Sequence, residues 1–296
     1  MDSLIECVPN FSEGRNPDTI DKIANAIASV DSSRVLDIHS DADHNRTVIT
    51  FVCSPANVGD AAFLATQAAA AEIDLNHHTG EHPRVGATDV IPLIPVVGVT
   101  KKDCIEVARA LASRISDELG IPTYLYGEAA LVERNRTLRD IRRGGFEKLR
   151  QAIRGSDRRP DFGPCKLHPT AGATAVGVRS YLVAYNVLLD TRDVSEARAI
   201  AVQIRESEGG VKGVQAMGFN VRGKAQVSTN LTDVGAVNIQ LVYREIAKLA
   251  ASTGTSILGS EIVGLAPRVA LEGLDAQDIG LPGQIPDYVL EDRISS

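Results

Sequence analysis

The sequence predicts an α+β fold, an α/β sandwich, built from two similar halves. Two observations support this class. Runs of β-branched residues alternate with amphipathic stretches in the order βαββαβ in each half, and the motif HPxxGAT occurs at 82–88 and again at 168–174. The chain has 296 residues, of which 44% are hydrophobic and 23% charged. It is therefore long enough for two modest domains that each bury a core.

The first half is predicted as βαββαβαβ. Its first helix starts at Asn16-Pro17-Asp18, because an Asn cap followed by Pro is typical of a helix N-terminus. Gly120 is a typical helix end. The predicted elements are a strand at 4–9, a helix to about 30, strands at 34–39 and 47–53 around the turn DADHN, an Ala-rich helix at 56–73, a buried strand at 88–97, a helix at 101–119 and a strand at 122–127.

The second half repeats this order, which is a split βαβ arrangement of the ferredoxin-like kind. Its hairpin turns at Arg222-Gly223-Lys224. The predicted elements are a strand at 178–190, a helix at 194–206, hairpin strands at 214–221 and 225–231, a helix at 236–251 and a strand at 256–263.

We therefore predict two domains, 1–175 and 176–296. The segment 134–159 stands out because nine Arg and Lys148 face three acids, a net charge of +7. We interpret it as the connector between the halves and count it with the first domain, 1–175. It is either a solvated helix and linker or an anchor for an acidic ligand tail.

The overall charge excludes one class of partner. The net charge is −7, whereas nucleic-acid binding requires a basic face. The chain has no Trp and 4% aromatic residues, which also disfavours a stacking platform for bases. The N-terminus has no apolar signal region, and apolar runs such as 90–99 are about half of the ~20 residues that a membrane span needs. We expect a cytoplasmic protein with no membrane partner.

No metal site is predicted. The four cysteines are widely spaced, without a CxxC pair. His78 and His82 have i, i+4 spacing, but Gly80 and Pro83 disfavour the helix that this spacing requires.

His82 is the candidate for general acid/base catalysis, because an imidazole exchanges protons near neutral pH. The alternative, a purely structural loop histidine, remains open, as it does for His168 in the matching loop. Arginines beside the loops and hairpins, Arg46 and Arg84 among them, suit carboxylate groups. They could equally be surface ion-pair residues.

Several longer motifs resemble one family. ECVPNFSEGRN (6–16), GEHPRVGATDVIPLIPV (80–96), GATAVGVRSYLVAYNV (172–187) and AQVSTNLTDVG (225–235) are similar to glutamate formimidoyltransferase, the transferase domain of formimidoyltransferase-cyclodeaminase. The resemblance covers about residues 3–290.

The resemblance implies two ferredoxin-like subdomains that face each other across a ligand tunnel, and a homodimer. It implies transfer of a formimidoyl group between N-formimidoyl-L-glutamate and tetrahydrofolate, the co-substrate, with L-glutamate as the other product and no metal. The catalytic histidine of the family falls on His82. Its folate-contacting stretch falls on Gly163, Pro164, Cys165, Lys166, Leu167, His168, Pro169, Thr170, Ala171 and Gly172.

Within this hypothesis His82 carries protons between the two nitrogens that exchange the group, and Arg46 or Arg84 holds glutamate carboxylates. Two alternatives remain. One is formyl transfer from N-formylglutamate or 5-formyltetrahydrofolate on the same fold. The other is a folate-binding protein without catalysis.

Overall fold

The computed structural model describes residues 3–135 and 137–296. The chain forms two compact units, the first up to Arg179 and the second from Ser180 to Ser296. Both contain a β-sheet with helices, so the predicted mixed α and β class is confirmed at this level. The predicted domain division after residue 175 stays a prediction.

The first unit contains a single mixed sheet. Its elements are β1 (Leu4–Cys7), β2 (Asn10–Phe11), α1 (Pro17–Ala28), β3 (Arg34–Asp41), β4 (Arg46–Cys53), α2 (Val58–Glu72), β5 (Thr88–Val97), α3 (Lys101–Leu119), β6 (Thr123–Gly127), α4 (Leu138–Ile141), α5 (Gly145–Ala152) and β7 (Thr174–Val178). The strands lie in the order β3, β4, β1 with β2, β5, β7, β6. The pairs β5–β7 and β6–β7 are parallel, and the other pairs are antiparallel.

Local sequence accounts for the helix ends. The Asn16 side chain accepts hydrogen bonds from the N–H groups of Asp18 and Thr19, and Pro17 follows it. Helix α3 begins with a capping box between Thr100 and Asp103 and ends at Gly120, whose φ is +66°. Buried faces of α1, α2 and α3 then pack with the sheet in one hydrophobic core, which includes Ile23, Ile27, Phe51, Phe63, Ile91 and Leu111.

The second unit has its own sheet and core. Its elements are β8 (Val183–Leu189), α6 (Val194–Ile204), β9 (Val214–Val221), β10 (Lys224–Leu231), α7 (Ile239–Ser252), β11 (Ile257–Val263), α8 (Arg268–Leu271) and α9 (Leu290–Ser295). The strand order is β11, β8, β10, β9, all antiparallel. Positive φ values at Arg222 (+53°) and Gly223 (+70°) form the tight turn between β9 and β10.

The two units arrange their strands in the same way. In each βαββαβ set, the spatial order is second, third, first and fourth strand: β3, β4, β1/β2, β5 in the first unit and β9, β10, β8, β11 in the second. This matches the two similar halves predicted from the βαββαβ order. The repeated HPxxGAT motif does not mark these halves, because 82–88 and 168–174 both lie in the first unit.

Two predicted features differ from the structure. The predicted strand 178–190 starts too early: Val178 is the last residue of β7, a strand of the first sheet that was not predicted, and β8 of the second sheet begins only at Val183. Alternating hydrophobicity does not reveal which sheet a strand joins. The basic segment 134–159, expected as a connector, lies within the first unit. It forms α4 and α5 there because Ile141, Phe146 and Leu149 are buried in the first core.

Candidate active site

The two HPxxGAT loops lie in the first unit and pair with each other. Ala87 N–H donates to Ala171 O (2.9 Å), and Ala173 N–H donates to Val85 O (3.0 Å). These four residues occupy equivalent positions in the two motifs, so the pairing is close to twofold symmetric.

The crossing point of the two loops leaves no room for side chains. A Cβ atom at Gly86 would lie 2.0 Å from Ala173 O, and one at Gly172, where φ is +71°, would lie 2.2 Å from Val85 O. Both positions therefore require glycine.

The loop that carries His82 is held against the turn between β3 and β4. Glu81 N–H donates to Asp43 O (3.0 Å), and the Asn45 side-chain amide donates to Thr79 O (3.0 Å). These contacts bring the rings of His44 and His82 together, with centroids 6.2 Å apart and planes at 78°.

His78 and Arg84 form a fixed pair within this loop. Arg84 Nε donates to His78 Nδ1 (2.8 Å), so Nδ1 must be an acceptor. The proton of the neutral ring is then on Nε2, which donates to Asn45 O (2.9 Å). Burial is the main cause that lowers the pKa of His78, and the Arg84 charge acts in the same direction.

Asp89 fixes the other end of the loop. Its carboxylate is 2% exposed. One oxygen accepts from Val85 N–H (2.7 Å), and the other accepts from Arg142 Nε (2.8 Å) and Nη2. Arg142 belongs to the basic segment, so this ion pair joins that segment to the His82 loop.

His82 itself is partly accessible but densely surrounded by protein atoms. Burial is the largest cause that lowers its pKa well below the ordinary value, and Arg46, Arg142, His44 and His78 add to the shift. Neither imidazole nitrogen is hydrogen-bonded within residues 3–135 and 137–296. His82 is therefore a neutral base at pH 7, and within the described ranges both of its nitrogens are available for proton transfer.

The predicted folate stretch, 163–172, contacts the same region. Leu75 N–H donates to Thr170 O (2.9 Å), and Asn76 donates to Pro169 O (2.9 Å). Lys166 is exposed, whereas Leu167 is buried.

The histidine of this stretch differs from His82. His168 Nδ1 accepts from the backbone N–H groups of Ala171 (3.0 Å) and Thr170 (3.4 Å). Burial lowers the pKa of His168. One nitrogen of the ring is thus used to hold its own turn.

The structure adds residues that sequence reasoning did not select. His44 and Arg142 lie in the electrostatic surroundings of His82. The acid- and histidine-rich segment 39–47 was the available signal for His44, and the positive charge of 134–159 was the signal for Arg142.

His77, adjacent to His78 in sequence, is 87% exposed and lies 3.8 Å from Asp74. In the part of the chain that the structure describes, no group of three or more His, Cys, Asp or Glu side chains could hold a metal ion. Across the same ranges, no helix combines the length and hydropathy needed to cross a bilayer.

Comparisons with known proteins agree on one family. The family model "Formiminotransferase domain, N-terminal subdomain" matches residues 4–179, and "Formiminotransferase domain" matches residues 184–278. The chain is 43% identical over 296 residues to glutamate formimidoyltransferase of Thermoplasma acidophilum, covering 99% of this chain and 97% of the relative. It is 40% identical to the enzyme of the same name in Streptococcus pyogenes, covering 99% of each.

A longer relative matches over part of its length. Formimidoyltransferase-cyclodeaminase of Sus scrofa is 44% identical over 285 residues, which are 93% of this chain and 52% of that protein. Among solved structures, a chain of complex III from Candida albicans has a TM-score of 0.21 at 10% identity, with 85% of this chain and 76% of that chain covered; a likeness this low carries no argument. The chain belongs to the formiminotransferase family.

Proposed function

We propose that this chain transfers a formimidoyl group between N-formimidoyl-L-glutamate and tetrahydrofolate. The family membership supports the reaction class. The structural observation that supports it best is His82, a neutral imidazole without a hydrogen-bond partner in the described ranges, on a loop held rigidly from both ends.

The chemistry requires a group that both accepts and donates a proton. A nitrogen of tetrahydrofolate attacks the amidine carbon of the donor, a new C–N bond forms, and the attacking nitrogen loses its proton to His82. The C–N bond to glutamate then breaks while His82 returns a proton to the departing nitrogen. The low pKa of His82 makes the neutral ring available as a base and makes its protonated form a strong acid toward the departing nitrogen.

The charges of the first unit suit acidic substrates. Folate and glutamate both carry carboxylates, and Arg139, Lys148, Arg154, Arg159 and Lys166 are exposed cations in or near the basic segment. We propose that 163–172 contacts the folate. Arg46 and Arg84 remain proposed carboxylate contacts, although Arg84 would first have to release Glu147, whose Oε1 lies 2.9 Å from Arg84 Nη2.

Other parts of the prediction rest on the family resemblance. The shared strand order supports a ferredoxin-like fold for each unit. The ligand tunnel, the homodimer and the cytoplasmic location stay predictions.

The test replaces His82 with alanine. We expect kcat to fall about 10²- to 10⁴-fold while tetrahydrofolate binding persists, because general acid/base catalysis contributes in this range. The assay follows formimidoyl-tetrahydrofolate by ultraviolet absorbance, with N-formylglutamate as an alternative donor in parallel. His77→Ala is the matched control, since His77 is exposed on the same loop. Near-normal turnover in His82→Ala would refute the catalytic role, and a preference for N-formylglutamate would favour formyl transfer.

A further inference from the structure

Arg142 is fixed in position more firmly than an ordinary surface arginine. It follows α4 directly, and Arg158 donates from its guanidinium to the carbonyl oxygens on both sides of it: Asp140 (2.7 Å) and Ile141 (2.9 Å) before, Arg143 (3.4 Å) after. Tyr124 in turn donates to the Arg158 carbonyl (2.7 Å). The backbone that presents Arg142 is therefore braced from β6.

The guanidinium of Arg142 is only partly used. Its Nε and Nη2 both donate to one oxygen of Asp89, so that side of the fork is occupied. Nη1 makes no hydrogen bond to any residue in 3–135 or 137–296. The side chain is 17% exposed. The outer edge of the guanidinium, formed by the remaining N–H groups of Nη1 and Nη2, is therefore accessible to a ligand. This edge presents two parallel N–H groups, the arrangement that binds a carboxylate.

Arg84 offers a contrast. Its Nε and Nη2 bind the ring and carbonyl of His78, and both Nη atoms face the Glu147 carboxylate. A substrate carboxylate at Arg84 would have to displace Glu147, whereas one at Arg142 would displace nothing in the described structure.

Arg142 is also coupled to the proposed catalytic loop. Asp89 holds Arg142 through one oxygen and Val85 N–H through the other, and Val85 lies three residues after His82. Movement of the guanidinium relative to the loop is thereby restricted. The Arg142 charge is felt at His82, where it helps to lower the pKa.

We propose that Arg142 binds a carboxylate of the substrates next to His82. This inference rests on the proposed function and names a contact for it. Two sources share the required chemistry: the carboxylates of the formimidoyl donor and the glutamyl carboxylates of tetrahydrofolate.

The experiment measures the selectivity for each carboxylate. Donor pairs are N-formimidoyl-L-glutamate against N-formimidoyl-4-aminobutyrate, which lacks the α-carboxylate, and against N-formimidoyl-2-aminobutyrate, which lacks the side-chain carboxylate. The acceptor pair is tetrahydrofolate against tetrahydropteroate. For each pair, the ratio of kcat/KM is compared between parent and variant.

The main variant combines Asp89→Asn with Arg142→Gln, so that no buried carboxylate is left unpaired. The side-chain amide oxygen introduced at position 89 can still accept from Val85 N–H.

We expect one of the three ratios to fall about 10- to 100-fold, the range for a lost hydrogen bond to a charged group, and the affected pair identifies the carboxylate. Arg142→Lys should lower the same ratio less, because it retains the charge and loses the fork. It also serves as the test variant if the double variant does not fold. Arg143→Lys is the control, since Arg143 is 75% exposed and pairs with Asp140 at 2.8 Å.

Ratios that stay within about twofold in a folded variant would overturn the role of Arg142. If the parent chain transfers no formimidoyl group, the proposed function fails. In that case the dissociation constants of tetrahydrofolate, tetrahydropteroate and L-glutamate, measured for parent and Arg142→Lys, still decide whether Arg142 binds a carboxylate: equal values for both proteins overturn it.

Discussion

Replacing Gly86 with alanine would disturb the crossing of the two loops directly. The new Cβ atom would lie 2.0 Å from Ala173 O and 2.6 Å from Thr88 O. Ala173 O is a backbone atom of the other loop, so relief of that contact requires the loops to separate, with loss of the bonds Ala87 N–Ala171 O and Ala173 N–Val85 O. Each buried backbone group left without a partner costs about 1–3 kcal/mol. Because the two lost bonds leave four such groups, we expect the free energy of unfolding to fall by about 4 kcal/mol or more, a large effect for one methyl group.

The matched control is Gly59→Ala. Gly59 is the second residue of α2, and its Cβ would meet only Val107 Cγ1, at 3.9 Å, an ordinary contact. Alanine favours the helix, so this variant should be more stable than the parent by about 0.5 kcal/mol. Equilibrium unfolding in urea, followed by circular dichroism, gives both differences. If Gly86→Ala unfolds at the same urea concentration as the parent, the close approach of the two loops is wrong.

Two further predictions concern ionisation. As pH falls, kcat/KM should decrease through the depressed pKa of His82, and Arg46→Gln, which removes one of the cations responsible, should move that decrease to higher pH; a pH profile with the same acidic limb in both proteins would contradict this. With a disulfide reagent at pH 7.5, Cys165 should be the thiol that reacts rapidly in the native protein, because the other three cysteines are buried and burial raises the pKa of their thiols, to about 11 for Cys104. Bound tetrahydrofolate should slow the reaction of Cys165, because 163–172 is the proposed folate contact. Rapid labelling of a second thiol would contradict the burial, and loss of all rapid labelling in Cys165→Ala confirms the assignment.

Local sequence determined much of the fold. The cap at Asn16, the stop at Gly120 and the alternation of strands with amphipathic helices are short-range signals, and each predicted an element that the structure contains. The choice of sheet is a long-range property. The predicted strand 178–190 includes both the end of β7 at Val178 and all of β8 from Val183, and periodicity could not show that these residues belong to different sheets.

In the candidate active site, too, short-range signals identified some residues and could not identify those that depend on long-range contacts. His82 could be selected because it lies in a distinctive loop. Arg142 could not, because it is one of ten cations in 134–159 and its role depends on Asp89, 53 residues away in the chain. A run of positive charge indicates an acidic partner. Which of these cations faces inward, here Arg142, is decided by the burial of its neighbours Ile141 and Phe146.

The pairing of the two HPxxGAT loops limits which substitutions each loop can accept. The two HPxxGAT motifs share a hydrogen-bonded crossing. Among the residues that the structure describes, His82 has no hydrogen-bond partner on its ring, whereas His168 Nδ1 accepts from the backbone of its own turn. The histidine of one motif is thus the candidate reactive group, and the histidine of the other holds its own turn. Each loop donates one backbone hydrogen bond to the other, from Ala87 N–H to Ala171 O and from Ala173 N–H to Val85 O, so a change in one loop affects the other. A larger residue at Gly172 would push the two loops apart and should therefore lower the turnover that depends on His82, although it alters no reactive group.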